Sequence, residues 1–214
     1  MTAGQEEPRA FHAPGAAERR CGRSGKIVVV VTQKERMLRG ELYRDSDPEL
    51  VAERRACQEL LDRFNATRSG EDAERREVLE KLLGAIGEGS WIMPRFQCDY
   101  GYLIRLGRNS FLNYDAIVMD CAPVIIGDDV SIGPRVQLLT ALHPMDDHEL
   151  RRQRWETAAP ITIGDNVWMG GGVIVCPGVT IGANTVVGAG SVVTKNLPER
   201  VFAAGNPCRI IRHL

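Results

Sequence analysis

Aromatic side chains are scarce in this 214-residue chain, at 6% of positions, and no unbroken apolar run exceeds the five residues 27–31. Such a run is far shorter than the roughly twenty residues that span a bilayer and too short for the core of a secretion signal. The sequence therefore predicts a cytoplasmic protein without a membrane partner. Neither sign of charge dominates either: 27 Lys and Arg stand against 28 Asp and Glu, a formal charge of −1. Nucleic acid is not an expected partner of such a surface, and an anionic ligand has to be held by locally placed cations. The six cysteines, Cys21, Cys57, Cys98, Cys121, Cys176 and Cys208, lack the close pairs of a zinc site and the density of a disulfide scaffold. They read as reduced, mostly buried small residues.

What is present divides by pattern into three stretches. Residues 1–31 are rich in Ala, Gly, Arg, Glu and Pro and show no period, which favours disorder. Two readings stand side by side: a natural disordered tail, or an upstream extension with the true start at Val31, since Val31-Thr32-Gln33-Lys34-Glu35-Arg36-Met37 has the look of an N-terminus. Residues 32–90 read as helical. Ser46-Asp47-Pro48-Glu49 supplies a cap and a first-turn proline, and Leu50, Cys57, Leu60, Leu61 and Phe64 come after it at helical spacing. Further on, Ser69 and Asp72 suit a capping box, and Val78, Leu79, Leu82, Leu83 and Ile86 make a second apolar stripe. The pair predicts a helical hairpin packed on the C-terminal part of the chain.

Residues 91–214 carry a six-residue period. Ile163, Met169, Val175, Ile181, Val187 and Val193 keep the step without a slip; Leu106, Leu112 and Val118 keep it upstream, and Ile126, Ile132 and Leu138 resume it after an interruption at residues 121–124. A second small or apolar position trails by four at Val130, Val136, Val167, Val173, Val179, Thr185 and Ser191. Neither a helical face nor an alternating strand has this period. A three-sided coil of short parallel strands has it: each hexapeptide makes one strand and one corner, aliphatic residues stack along the axis, and corners take Gly, Asn and Asp. Three hexapeptides, eighteen residues, complete one turn. The fold class expected is mainly β, a parallel β-helix with an N-terminal helical hairpin.

The period stops at Leu138 and restarts at Ile163, so a loop near residues 140–160 is ejected from the coil. Long loops on regular scaffolds usually carry function. This one contains His143, in Thr140-Ala141-Leu142-His143-Pro144, with His148 and Trp155. An imidazole suits the removal of a proton from an attacking hydroxyl. His148, among Asp146, Asp147 and Glu149, reads as solvated, while His12 and His213 lie near the chain ends, so His143 is the candidate base.

The chain from Lys34 onward resembles the maltose and galactoside O-acetyltransferases and their nodulation-factor relatives. The strings that carry the likeness are Met37-Leu38-Arg39-Gly40-Glu41-Leu42-Tyr43, Cys98-Asp99-Tyr100-Gly101, Pro160-Ile161-Thr162-Ile163-Gly164, Asn166-Val167-Trp168, Pro177-Gly178-Val179-Thr180-Ile181-Gly182 and Gly205-Asn206-Pro207-Cys208-Arg209. The resemblance implies a left-handed coil, a homotrimer with active sites between subunits, and acetyl transfer from acetyl-CoA, as co-substrate and without a metal, to a hydroxyl of a small sugar. It makes His143 the catalytic base and places Asn113 beside it to orient the acceptor or stabilise an oxyanion. Asp45, Asp99, Tyr100, Phe111 and Asp120 would line the acceptor pocket. Trp168, Gly171, Ala189 and Thr194 would meet the pantetheine arm, and Lys195, Arg209 and Arg212 the phosphates. Bland alternatives stay open for Tyr100 and Phe111 as packing, Asp45 as a turn residue and Trp168 as a coil aromatic under a neighbouring subunit. Two departures from the pattern appear: Cys121 where some relatives carry a second acidic residue, and Gly171 where some carry serine.

Three rival functions fit parts of this pattern. A zinc carbonic anhydrase on this coil needs three converging histidines, and the coils contain none. Acetylation of a non-sugar acceptor, such as serine, an antibiotic or an amino sugar, uses the same scaffold; the helical module and Asp99-Tyr100 favour a sugar. A non-catalytic scaffold has no use for the His143 loop or for basic residues at the coil's end.

Overall fold

The computed structural model describes residues 31–214, of which Gln33–Leu214 form one compact unit. The two readings of residues 1–31 concern a segment that lies, but for Val31, outside the described residues. Among the described residues no helix is long and apolar enough to cross a membrane.

Three helices precede the coil: α1 (Gln33–Leu38), α2 (Pro48–Asn65) and α3 (Asp72–Leu82). Asp47 caps α2, its carboxylate accepting the N–H of Glu49 at 3.0 Å with Pro48 in the first turn. Leu50, Cys57, Leu61 and Phe64 of α2 are buried, and Val78, Leu79 and Leu82 of α3 join Cys57, Leu61 and Phe64 in the main core. The Ser69–Asp72 capping box does not form: α3 starts after Glu71, whose carboxylate turns back to the N–H of Arg68 at 2.7 Å. The second stripe also ends early. Leu83 is extended, and a side chain at Gly84 would run into the Tyr102 carbonyl, so Ala85–Ile86 already forms a strand of the coil, paired with Arg105 and Leu106.

The coil has three parallel faces. Face one stacks Ala85–Ile86, Ile104–Leu106, Val124–Ile126, Ile161–Ile163 and Thr180–Ile181. Face two stacks Trp91–Ile92, Phe111–Leu112, Ser131–Ile132, Trp168–Met169, Val186–Val187 and Val201–Ala204, closed at its end by antiparallel Arg209–His213. Face three stacks Phe96–Cys98, Ala116–Met119, Gln137–Leu139, Ile174–Val175 and Val192–Val193. The six aliphatic positions from Ile163 to Val193 are at most 1% exposed, and the trailing set, including Thr185 and Ser191, is buried too. Stacking identical layers lets each side chain bury against the one above it at roughly 25 cal/mol per Å².

Turn length is where the coil departs from the hexapeptide count. Thr162 pairs with Thr180, eighteen residues on, but Trp91 pairs with Phe111 and Phe111 with Ser131, twenty residues on. The two extra residues sit at one corner, between faces three and one.

Candidate active site

At that corner Val118 to Ile126 spans eight residues where Val175 to Ile181 spans six, and the widened connections stack: residues 99–103, then 120–123, then 140–160. Buried polar side chains bind each layer to the next. The Asp120 carboxylate accepts the N–H groups of Asp99 at 3.0 Å, Tyr100 at 2.9 Å and Leu103 at 3.4 Å. Its burial outweighs these donors and pushes its pKa up to about 7. Thr140 accepts the N–H of Ala122 and donates to the Met119 carbonyl, while its own carbonyl receives the N–H of Ala159, pinching the base of the ejected segment.

That segment is an arm with regular structure. Ala141–Leu142 pairs antiparallel with Trp155–Ala158, and α4 (His148–Arg152) closes the tip under a cap from Asp147. The other edge of Trp155–Ala158 takes Tyr43–Arg44, so the N-terminal module holds the arm. Arg151 donates to the carbonyls of Pro144 at 2.6 Å and Met145 at 2.9 Å, which fixes the chain directly after His143.

His143 is half exposed, and its Nε2 lies 3.8 Å from Oε1 of Glu156, whose side chain is 15% exposed. Oε2 of Glu156 accepts the hydroxyl of Tyr43 at 3.1 Å. Burial raises the Glu156 pKa and the Asp45 charge adds to it, while the Tyr43 hydroxyl, His143 and Arg54 oppose the rise. An imidazole whose one nitrogen faces a carboxylate keeps the other nitrogen's lone pair to take up a proton. Beside this pair, Arg54 donates to the Tyr100 hydroxyl at 2.8 Å and the Asp45 carbonyl at 2.7 Å, with the Asp45 carboxylate at 3.9 Å. The Cys121 thiol donates to Asp99 at 3.3 Å. Burial raises the pKa of Asp99, against the pull of Cys121 and Arg54.

Two of the expected pocket residues are deeply buried within the chain. Asp120 is 0% exposed with both oxygens turned to backbone, and Tyr100 is 4% exposed with its hydroxyl held by Arg54. Asp45 and Asp99 are only partly buried. Phe111 and Asn113 lie elsewhere, on and just past face two. Phe111 stacks on Trp91 at 4.8 Å, and the Asn113 amide oxygen accepts the N–H of Tyr114 at 2.8 Å, which leaves its NH₂ without an acceptor among the described residues. No hydrogen bond or ion pair joins either residue to His143 within this chain, among the described residues.

Of the expected donor residues, Gly171 and Ala189 lie at the corner between faces two and three. Its left-handed position is Asp115 and Arg135 in the early coils but Gly172 and Gly190 later, at φ of 70° for both glycines, with no atom near where a Cβ would stand. Gly171 and Ala189 flank these glycines, and the N–H of Gly190 reaches the Gly171 carbonyl at 2.9 Å. The result is a strip almost free of side chains. Trp168 is 57% exposed on the adjoining face. Arg209 and Arg212 project from the last strand, Thr194 and Lys195 lie past Val193 on the next corner, and these three cations have no carboxylate partner among the described residues. Of the six cysteines, Cys57, Cys98, Cys121 and Cys208 are buried free thiols and Cys176 is partly buried; Cys21 lies outside the described residues.

Sequence reasoning missed Glu156, Tyr43 and Arg54 as site residues. The one local signal for Glu156 is a lone charge in the otherwise uncharged stretch 155–162.

A parallel β-helix of hexapeptide turns with a histidine arm and a glycine-lined corner defines the class of hexapeptide-repeat transferases. Residues 160–195 match the bacterial transferase hexapeptide family, and residues 36–87 match the maltose acetyltransferase hexapeptide capping motif. Nodulation protein L of Rhizobium meliloti (strain 1021) is 46% identical over 84% of this chain and 97% of that protein. The crystal structure of a maltose O-acetyltransferase from Clostridium difficile 630 matches with a TM-score of 0.84 and 48% identity, over 86% of this chain and 97% of that one. A galactoside acetyltransferase in complex with coenzyme A matches at 0.81 and 41% identity, over 85% and 90%. The chain belongs to the maltose and galactoside O-acetyltransferase family of hexapeptide-repeat proteins.

Proposed function

We propose that this protein transfers an acetyl group from acetyl-CoA to a hydroxyl of a small sugar such as maltose, glucose or a galactoside. The observation that carries the reading is the His143–Glu156 pair, held on a structured arm beside the half-buried carboxylates of Asp45 and Asp99. Carboxylates suit the hydroxyls of a sugar, each accepting one or more O–H groups. His143 removes the proton from the attacking hydroxyl as its oxygen bonds to the thioester carbonyl, and Glu156 meets the charge that the imidazole then carries. The imidazolium returns its proton as the thiolate of CoA departs. The strip of Gly171, Gly172, Ala189 and Gly190 suits the thin pantetheine arm, and Lys195, Arg209 and Arg212 suit its phosphates.

Asn113 and Phe111 lie apart from His143 within one chain, and the proposed homotrimer brings the Asn113 of one copy to the His143 of another, where its free NH₂ serves the oxyanion. The setting is cytoplasmic, where acetyl-CoA is made and thiols stay reduced.

Release of free CoA from acetyl-CoA, measured for wild type and His143→Ala against maltose, glucose, galactosides, serine and chloramphenicol, tests the reading. Sugar-dependent turnover that falls at least about a hundredfold in the variant is expected. Turnover only with serine or chloramphenicol would replace the acceptor, and no turnover with intact folding would point to a scaffold.

A further inference from the structure

We propose that Tyr43 is a positioning residue for the base: by donating its hydroxyl to Glu156 it keeps that carboxylate ionised and aimed at His143. The inference rests on His143 being the base. Tyr43 and Glu156 are direct partners on antiparallel strands, so their side chains rise on the same side of the small sheet. The phenol is completely buried and its oxygen lies 3.1 Å from Oε2 of Glu156, while Oε1 of the same carboxylate lies 3.8 Å from Nε2 of His143. With one oxygen held, the carboxylate cannot rotate away from the imidazole. The Cys121 thiol lies against the same hydroxyl and donates to Asp99, so the contacts run from the widened corner to the base.

Other charged groups reach this cluster from each neighbouring element. Asp45 and Arg54 act on Glu156 from the end of the Tyr43 strand and from α2, Tyr100 and Asp99 act from the corner through Tyr43 and Cys121, and Arg44 is taken up by the Trp155 ring at 4.7 Å. Burial, then Cys121 and Glu156, hold the Tyr43 pKa far above its ordinary value, so the phenol stays a donor through the working pH range and never competes as a base. When His143 takes the acceptor's proton, the Nε2 proton faces an anion that Tyr43 has kept anionic. No proton leaves Tyr43 in this cycle.

The test is a double-mutant cycle on the full chain, with kcat, KM for each substrate and the pH profile of kcat/KM for wild type, Tyr43→Phe, Glu156→Gln and the double variant. Tyr43→Phe is expected to lower kcat on the order of tenfold, to leave KM for acetyl-CoA unchanged and to move the acid limb of the profile to lower pH, because a protonated Glu156 no longer stabilises the imidazolium. In the Glu156→Gln background the same change should have little further effect. Equal losses in both backgrounds, with an unmoved acid limb, would overturn the positioning role while leaving the base in place. Full activity of His143→Ala would overturn both. Should Tyr43→Phe fail to fold, 3-fluorotyrosine at position 43 keeps the shape with a stronger donor and should move the acid limb upward; an unmoved limb counts against the proposal.

Discussion

Oδ1 of Asp120 receives the backbone N–H of Asp99 from the coil below it, at 3.0 Å. This bond, with those to Tyr100 and Leu103, lets a fully buried carboxylate define the shape of a corner that no apolar contact would hold open. A group of that kind links folding to pH.

For Asp120 the sign comes from a folded-state pKa raised to about 7 against roughly 3.9 in the unfolded chain. Its contribution is complete below the unfolded value and is lost as pH rises through the folded one, at about 1.4 kcal/mol per unit at most within that window. Urea unfolding of wild type and Asp120→Asn at pH 5.5 and 8 should therefore show the difference moving against wild type at the higher pH. A difference that stays constant means the three N–H donors keep the carboxylate ionised throughout.

Ala189 is the exposed β-carbon on the glycine-lined corner, and unlike Gly172 and Gly190 it has no left-handed backbone to protect. Ala189→Phe should leave folding intact, raise KM for acetyl-CoA on the order of tenfold or more by filling the strip, and change the sugar KM little. Steady-state kinetics in each substrate separates these outcomes. An unchanged acetyl-CoA KM would move the donor off this corner.

Lys195, Arg209 and Arg212 bear their charges in solvent, where a phosphate can pair with them. Replacing each by Ala should raise KM for acetyl-CoA by roughly threefold to tenfold, with the effect shrinking at high salt. Acetyl-pantetheine, which lacks the nucleotide phosphates, should react alike with wild type and the variants. Equal losses with both donors would show that these cations support the fold instead.

Much of the fold can be read from residue order, because burial in a coil repeats. Ile126, Ile132 and Leu138, like the run from Ile163 to Val193, recur by count and are all at most 2% exposed. The interruption at residues 121–124 and the gap after Leu138 also mark, in the linear text, two of the three places where the corner widens. The cap of α2 was legible for the same reason, being local. The end of α3 was not, since it depends on how closely Gly84 approaches Tyr102 from another layer.

His143 was legible as a candidate because it interrupts a regular pattern. Its partners were not: Tyr43 and Glu156 are 113 positions apart, and neither belongs to a period or motif that names the other. Sequence alone determined the parallel coil, its core and the existence of an ejected arm, since these depend on which side chains recur. Only the tertiary structure decided that three widened corners stack, that Asp120 turns inward, and that the helical module grips the arm through Tyr43. Those outcomes depend on register between distant strands, and register is set by packing rather than by any local preference.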